Sequence, residues 1–164
     1  MKRIVLLCLI LLPMAASAHK ILSGDIKFMK TEHKLQTSID FSQAQYTGDQ
    51  NGRAFLSAHL ALDSTYLVKQ FYTGLADELE NRYLLVGDQP EARYEVVVRV
   101  QQVAANGKTW SVAEFTDRES GEVVCTVQLI GDGGHLGTFL SLWGDGLDET
   151  GEDLGSLLKK NTKK

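Results

Sequence analysis

Cysteine is nearly absent from this 164-residue chain: Cys8 and Cys125 are the two it has. That is too few for a small fold stapled by disulfides. Proline is as scarce, with Pro13 and Pro90 alone, which excludes a proline-rich stalk or linker. Positive charge is not in excess either. Seventeen Lys and Arg face 21 Asp and Glu, a net charge of -4, so there is no general field for nucleic acid. Long apolar runs are also missing, since the longest, Ile4 to Leu12, falls short of the roughly 20 residues that span a bilayer. What remains is the composition of one ordinary packed domain.

The N-terminus carries the clearest signal. Met1-Lys2-Arg3 is basic, Ile4 to Leu12 is apolar, and Met14-Ala15-Ala16-Ser17-Ala18 ends in an Ala-x-Ala pattern. This describes a secretory signal peptide over residues 1–18, cleaved between Ala18 and His19. Cys8 leaves with it, and Leu7 stands before Cys8 where a lipid-attachment site has a small residue. The expected product is exported, periplasmic or secreted, with no transmembrane segment after signal removal. It keeps 15 basic and 21 acidic residues, a charge of -6, and Cys125 as a lone thiol.

Periodicity then outlines a fold. Ile26 and Phe28 share one face of a short alternation over residues 25–30, and Leu35, Thr37, Ile39 and Phe41 alternate with polar residues, which predicts a hairpin turning at residues 31–34. After the breaker cluster 47–52, Val68, Phe71, Tyr72, Leu75 and Leu79 form one helical stripe. Asp63 or Ser64 is a candidate N-cap, Gly87 a candidate stop, and residues 54–62 either extend the helix or form a separate turn. Tyr94, Val96, Val98 and Val100 face one side of a strand. Asn106-Gly107 predicts a two-residue hairpin turn, Trp110 to Phe115 the return strand, and Val123, Cys125, Val127 and Leu129 a third strand. Leu147, Leu154, Leu157 and Leu158 predict a terminal helix, with Gly151 and Gly155 on a face close to the sheet.

The order β-β-α-β-β-β-α predicts an α+β domain over residues 19–160. It has a single, mostly antiparallel sheet of about five strands and two helices packed on one face. Residues 161–164 close the chain as a basic tail.

Chemistry is harder to find. Gly131-Asp132-Gly133-Gly134-His135-Leu136-Gly137 follows a strand, but Leu136 stands where a dinucleotide loop needs a small residue, and no Gly-Lys-Ser/Thr follows. No cofactor is implied. The candidate metal ligands are His19, Asp132, His135, Asp145 and Asp148. His19 joins them because cleavage would make its imidazole and terminal amine a copper chelate, and the acids because hard cations take carboxylate oxygens. Against an EF-hand, counting from Asp145 puts Leu147 at the third ligand position and Thr150 at the glycine position. The stronger reading of these acids is as charges at the positive start of a helix, with Asp145 and Asp148 also able to serve as a cap pair and Lys159 and Lys160 at the helix's negative end. Asp40, Glu114 and Asp117 are candidates for an acid pair across strands, and Cys125 reads as a buried thiol on the apolar face of its strand.

The run Tyr94 to Val100, the hairpin after it, Asp117-Arg118-Glu119-Ser120-Gly121-Glu122-Val123-Val124, the glycine-rich segment and the final helix resemble small exported bacterial envelope domains. Among these are domains similar to the periplasmic domain of curli-type secretion lipoproteins. The resemblance covers residues 64–160 and implies no catalytic or binding residue. The function this supports is a non-catalytic envelope or secreted domain that binds a protein or surface partner. The alternative is a metal-dependent or hydrolytic secreted enzyme using His19, His135 or the 131–153 segment.

Overall fold

A computed structural model describes residues 19–48, 52–80 and 82–162. The predicted signal peptide, part of the 47–52 breaker cluster and the last two lysines of the tail lie outside the described residues. In chain order the elements are β1 (His19–Gly24), a 3-10 helix (Ile26–Thr31), β2 (Lys34–Asp40), β3 (Gln45–Tyr46), α1 (Gly52–Glu78), β4 (Leu85–Gly87), β5 (Tyr94–Val103), β6 (Thr109–Asp117), β7 (Glu122–Gly131) and α2 (Phe139–Asn161).

The architecture is α+β, with one open sheet of seven strands in the order β1-β7-β6-β5-β2-β4 and β3 alongside β5. The sheet is mixed rather than mostly antiparallel, and has seven strands rather than five. β2 runs parallel to β4 and β5, and β3 is parallel to β5. The physical reason is the long connection through α1, which carries the chain back to the same end before it re-enters the sheet. β3 and β4 are two and three residues long, too short to show a period.

The predicted first hairpin does not form. Asp25 accepts a hydrogen bond from the Lys27 backbone N–H at 2.9 Å and caps the 3-10 helix. Ile26 and Met29, three residues apart, are buried there, while Phe28 packs against Tyr94 and Phe115. The first strand is instead His19–Gly24, paired antiparallel with β7.

In α1, residues on both sides of Asp63 are helical. Asp63 itself breaks the helix (φ -158°, ψ 68°), and its carboxylate accepts from the Tyr66 N–H at 2.8 Å, capping the second segment. Of the predicted stripe, Phe71, Leu75 and Leu79 are buried, while Val68 and Tyr72 are half-buried and Leu67, which the stripe left out, is fully buried in their place. The helix ends at Glu78, and Gly87, at φ +94°, closes β4 instead.

The β5-β6-β7 meander forms as its alternation predicts. Its first turn is longer than expected. Ala104 N–H bonds Lys108 O and Gly107 N–H bonds Ala104 O, both at 2.9 Å, and Gly107 takes φ +83°. This is a three-residue loop with the glycine in the left-handed position. A register shift opposite Phe115 and Thr116 turns Val123 outward, leaving Cys125, Val127 and Leu129 on the core face.

Thr138 caps α2 by accepting from the Ser141 N–H at 3.3 Å. The late glycines set the fit of this helix. A Cβ at Gly131 would lie 1.8 Å from the Gly146 carbonyl oxygen, and one at Gly146 would lie 2.1 Å from that of Gly107. Gly151 and Gly155 face α1, not the sheet as predicted: a Cβ at Gly151 would sit 2.1 Å from the Phe71 carbonyl oxygen. Gly74 of α1 answers them, its Cβ position 2.0 Å from the Asp148 carbonyl oxygen. Glycine costs a helix up to about 1 kcal/mol relative to alanine. Here it lets α2 sit backbone to backbone on two sides, around a core that includes Trp143, Phe71, Phe115 and Met29.

Candidate functional site

Two surface regions concentrate chemistry. The first lies where β1, β7 and α2 meet. His19 opens β1 opposite Leu129. Its Nδ1 lies 2.8 Å from Oδ1 of Asp153, a helix residue whose side chain is 4% exposed. The other oxygen of Asp153 accepts from the Ile130 N–H at 3.3 Å. Burial raises the Asp153 carboxyl above the usual carboxylate range, and the His19 hydrogen bond opposes that rise. Beside the pair runs an open groove of about 220 Å³ lined by Glu78, Ile130, Glu149, Glu152, Asp153 and Ser156. Burial, with Asp148 and Glu149 close by, also raises Glu152, and burial with Asp77 and Asp145 raises Asp148.

The predicted metal candidates are distributed as follows. Asp132 is ion-paired with Lys108, and its N–H donates to Glu149 at 2.8 Å. His135 is exposed on the loop before α2. Asp145 has Gly134 against its carboxylate, and Asp148 packs its backbone on Gly74. Asp145 and Asp148 lie within α2, so Thr138, not this pair, forms the cap. Lys159 and Lys160 do occupy the last turn. Among the described residues, no group of three or more His, Cys, Asp or Glu is placed to hold a metal ion.

Arg99 separates the acids expected to pair across strands. It ion-pairs Glu114 and lies 3.9 Å from Asp40, while Asp117 pairs with Arg93 at 2.8 Å. Cys125 is fully buried, and burial pushes its thiol up to about 11, away from the thiolate a nucleophile needs.

The second region lies at the other edge of the sheet. Its groove, about 440 Å³, is lined by His33, Lys34, Arg82, Tyr83 and Leu85. Lys34 and Leu85 are register partners on β2 and β4, and the Leu85 N–H donates to His33 O at 2.8 Å, which fixes the two segments side by side. Tyr83 is 75% exposed and Leu85 58%, with the buried Leu84 between them. Sequence reading missed Arg82, Tyr83 and Leu85. The available signal was the apolar run Tyr83 to Val86, placed after a helical stripe that had already ended.

No described helix is long and apolar enough to cross a membrane. No family model matches the sequence, and no curated protein matches it. Among solved structures the chain is similar to the PelC dodecamer from Paraburkholderia phytofirmans, at 10% identity with a TM-score of 0.44, over 82% of this chain and 96% of that one. A single-substitution variant of that PelC dodecamer is similar at 13% identity with a TM-score of 0.39, over 83% of this chain and 95% of the other. No residue role passes from them to this chain.

Proposed function

We propose that this chain is an exported, non-catalytic domain, mature from His19, that works by binding a partner at the edges of its sheet. The observation that carries this reading is where large apolar side chains are left in water. Four of the seven large apolar side chains exposed among the described residues lie there: Ile21 and Leu22 on the edge strand β1, and Tyr83 and Leu85 flanking the edge at β4, while Leu62, Val123 and Leu136 stand singly elsewhere. Edge strands offer unpaired backbone groups, and apolar side chains clustered beside them mark interaction sites. The His19–Asp153 pair fits a structural role in this reading, since it ties the first residue of the edge strand to α2.

The test is made in a bacterial host that exports the full chain. N-terminal sequencing of the exported protein should begin at His19. A photo-crosslinking amino acid replacing Leu22 or Tyr83 should give discrete adducts, and one replacing the exposed Thr73 of α1 should not. Equal labelling at all three positions, or turnover of an ester or glycoside substrate that is lost in His19→Ala, would overturn the proposal.

A further inference from the structure

We infer that the β4 edge docks on an anionic lipid surface. This rests on the partner-binding reading above and names the partner for one of the two edges.

The protein is acidic overall, with a net charge of -4, yet the groove at β4 is lined by Arg82, Lys34 and His33 and by no carboxylate. Arg82 makes no ion pair with any described residue. Lys34 reaches Glu91 at 2.9 Å, but Glu91 is 81% exposed, so the pair is screened and readily exchanged.

More cations gather at the same end of the molecule. The helices α1 and α2 run parallel: Gly74 lies against Asp148, Gly155 lies against Glu78, and Lys159 bonds Glu78 at 3.0 Å. Both C-terminal ends therefore arrive together, bringing Lys159 and Lys160 to the end from which Arg82 and Tyr83 depart. Lys30, at the end of the 3-10 helix, is exposed three residues before His33. Glu32, Glu80, Asp88 and Glu91 also stand near this edge in the sequence, so it is a mixed surface around a cationic groove.

Apolar chemistry selects the occupant. Tyr83 and Leu85 line the same groove as the cations and are exposed, the former with an apolar ring and a polar tip, the latter purely aliphatic. A tyrosine and a leucine in one groove with Lys34, Arg82 and His33 match the boundary between headgroups and acyl chains: the apolar side chains enter, and the cations meet phosphates. A peptide adding a strand fits less well. β4 offers only Leu85–Gly87 for pairing and is closed by Gly87 at φ +94°. The groove beside the His19–Asp153 pair, at the longer edge β1, is lined instead by Glu78, Glu149, Glu152 and Asp153.

The experiment is co-flotation of the exported, processed protein with vesicles of phosphatidylcholine alone or with an equal part of phosphatidylglycerol. Binding is expected only to the anionic vesicles and should fall as salt rises. Arg82→Gln and Lys34→Gln should each weaken it about fivefold, from the contribution of one cation near an anionic surface. Tyr83→Ser with Leu85→Ser should abolish it, and Leu22→Ser at the opposite edge should leave it unchanged. Each variant's melting temperature checks that it is folded. Failure of the wild type to float, or equal flotation of Arg82→Gln and Lys34→Gln with the wild type, would overturn the lipid assignment. If Tyr83 still crosslinks to a protein when vesicles do not bind, the lipid inference falls and the partner-binding reading stands. If both vesicle binding and edge crosslinks are missing, both fall.

Discussion

The helix α2 and the strand β4 stand at opposite extremes of packing. α2 is fitted backbone to backbone against α1 on one side and against the β5-β6 turn and the end of β7 on another, through Gly74, Gly151, Gly146, Gly131 and Gly107. β4 has three residues, one neighbouring strand and an apolar side chain in water. Nine of the fifteen glycines lie between Gly121 and Gly155, which draws attention to that stretch as a possible site. Seven of the nine act in close approach of α2 or its flanking turns to their neighbours: Gly131, Gly133, Gly134, Gly144, Gly146, Gly151 and Gly155. The contrast teaches that an unusual composition can record a packing demand, while a binding surface can be made of ordinary residues.

The largest effect is expected from Gly146→Ala. In a solvent-facing helix the change would stabilise by up to about 1 kcal/mol. Here the new Cβ would lie 2.1 Å from the Gly107 carbonyl oxygen and 3.0 Å from Thr109 Oγ1. Neither the turn nor the helix can yield without losing packing on its far side. Overpacking of this kind costs about 3 kcal/mol, and for a domain of this size the melting temperature should drop by roughly 10 °C. A melting temperature that rises would show that the seam is not closely packed.

The next effect tests the polar end of the same helix. Asp153 is buried with His19 and the Ile130 N–H as its partners. His19→Ala removes one of them and leaves the carboxylate under-satisfied, at a cost of about 2 kcal/mol near neutral pH. The pH dependence has a definite sign. Burial raises the folded-state pKa of Asp153, so the native state holds the proton more tightly than the unfolded chain does. That contribution is fully present below the unfolded-state pKa and is lost as pH rises through the raised value. Thermal melts across the acidic range should therefore show the wild type losing stability relative to Asp153→Asn as pH increases through that window. The opposite slope would mean that hydrogen bonds to the ionised form outweigh desolvation.

How much was legible follows the same division. The β5-β6-β7 meander was readable because its strands are long enough to show alternation and are joined by glycine turns. The second half of α1 was readable from its stripe, and Asp63 from its capping chemistry. β1 was missed because it follows directly on the predicted cleavage site and alternates weakly. The stretch after it was misread because Ile26 and Phe28 mimic a period of two, whereas the 3-10 helix buries Ile26 and Met29. The parallel pairing of β2 with β5 depends on where a 27-residue helix delivers the chain, which local pattern does not encode. Of the candidate site residues, His19 gained a partner that spacing could not foresee, since Asp153 is 134 positions away. The groove at β4 has no motif at all; it exists because His33 and Leu85 are brought together by strand pairing.

The smallest expected change sharpens the contrast. Arg82→Gln and Tyr83→Ser remove side chains that lie at an edge, one without a described ion pair and the other three-quarters exposed. Substitutions of this kind usually shift stability by no more than about 0.5 kcal/mol, so each variant should melt within about 2 °C of the wild type. Paired with the flotation measurement, this gives a double dissociation: Gly146→Ala should lower the melting temperature and, in the fraction still folded, leave vesicle binding intact, whereas Arg82→Gln should weaken binding and leave the melt unchanged. A clear loss of melting temperature in Tyr83→Ser would place that ring in the packed structure, and the two regions would then differ in degree rather than in role.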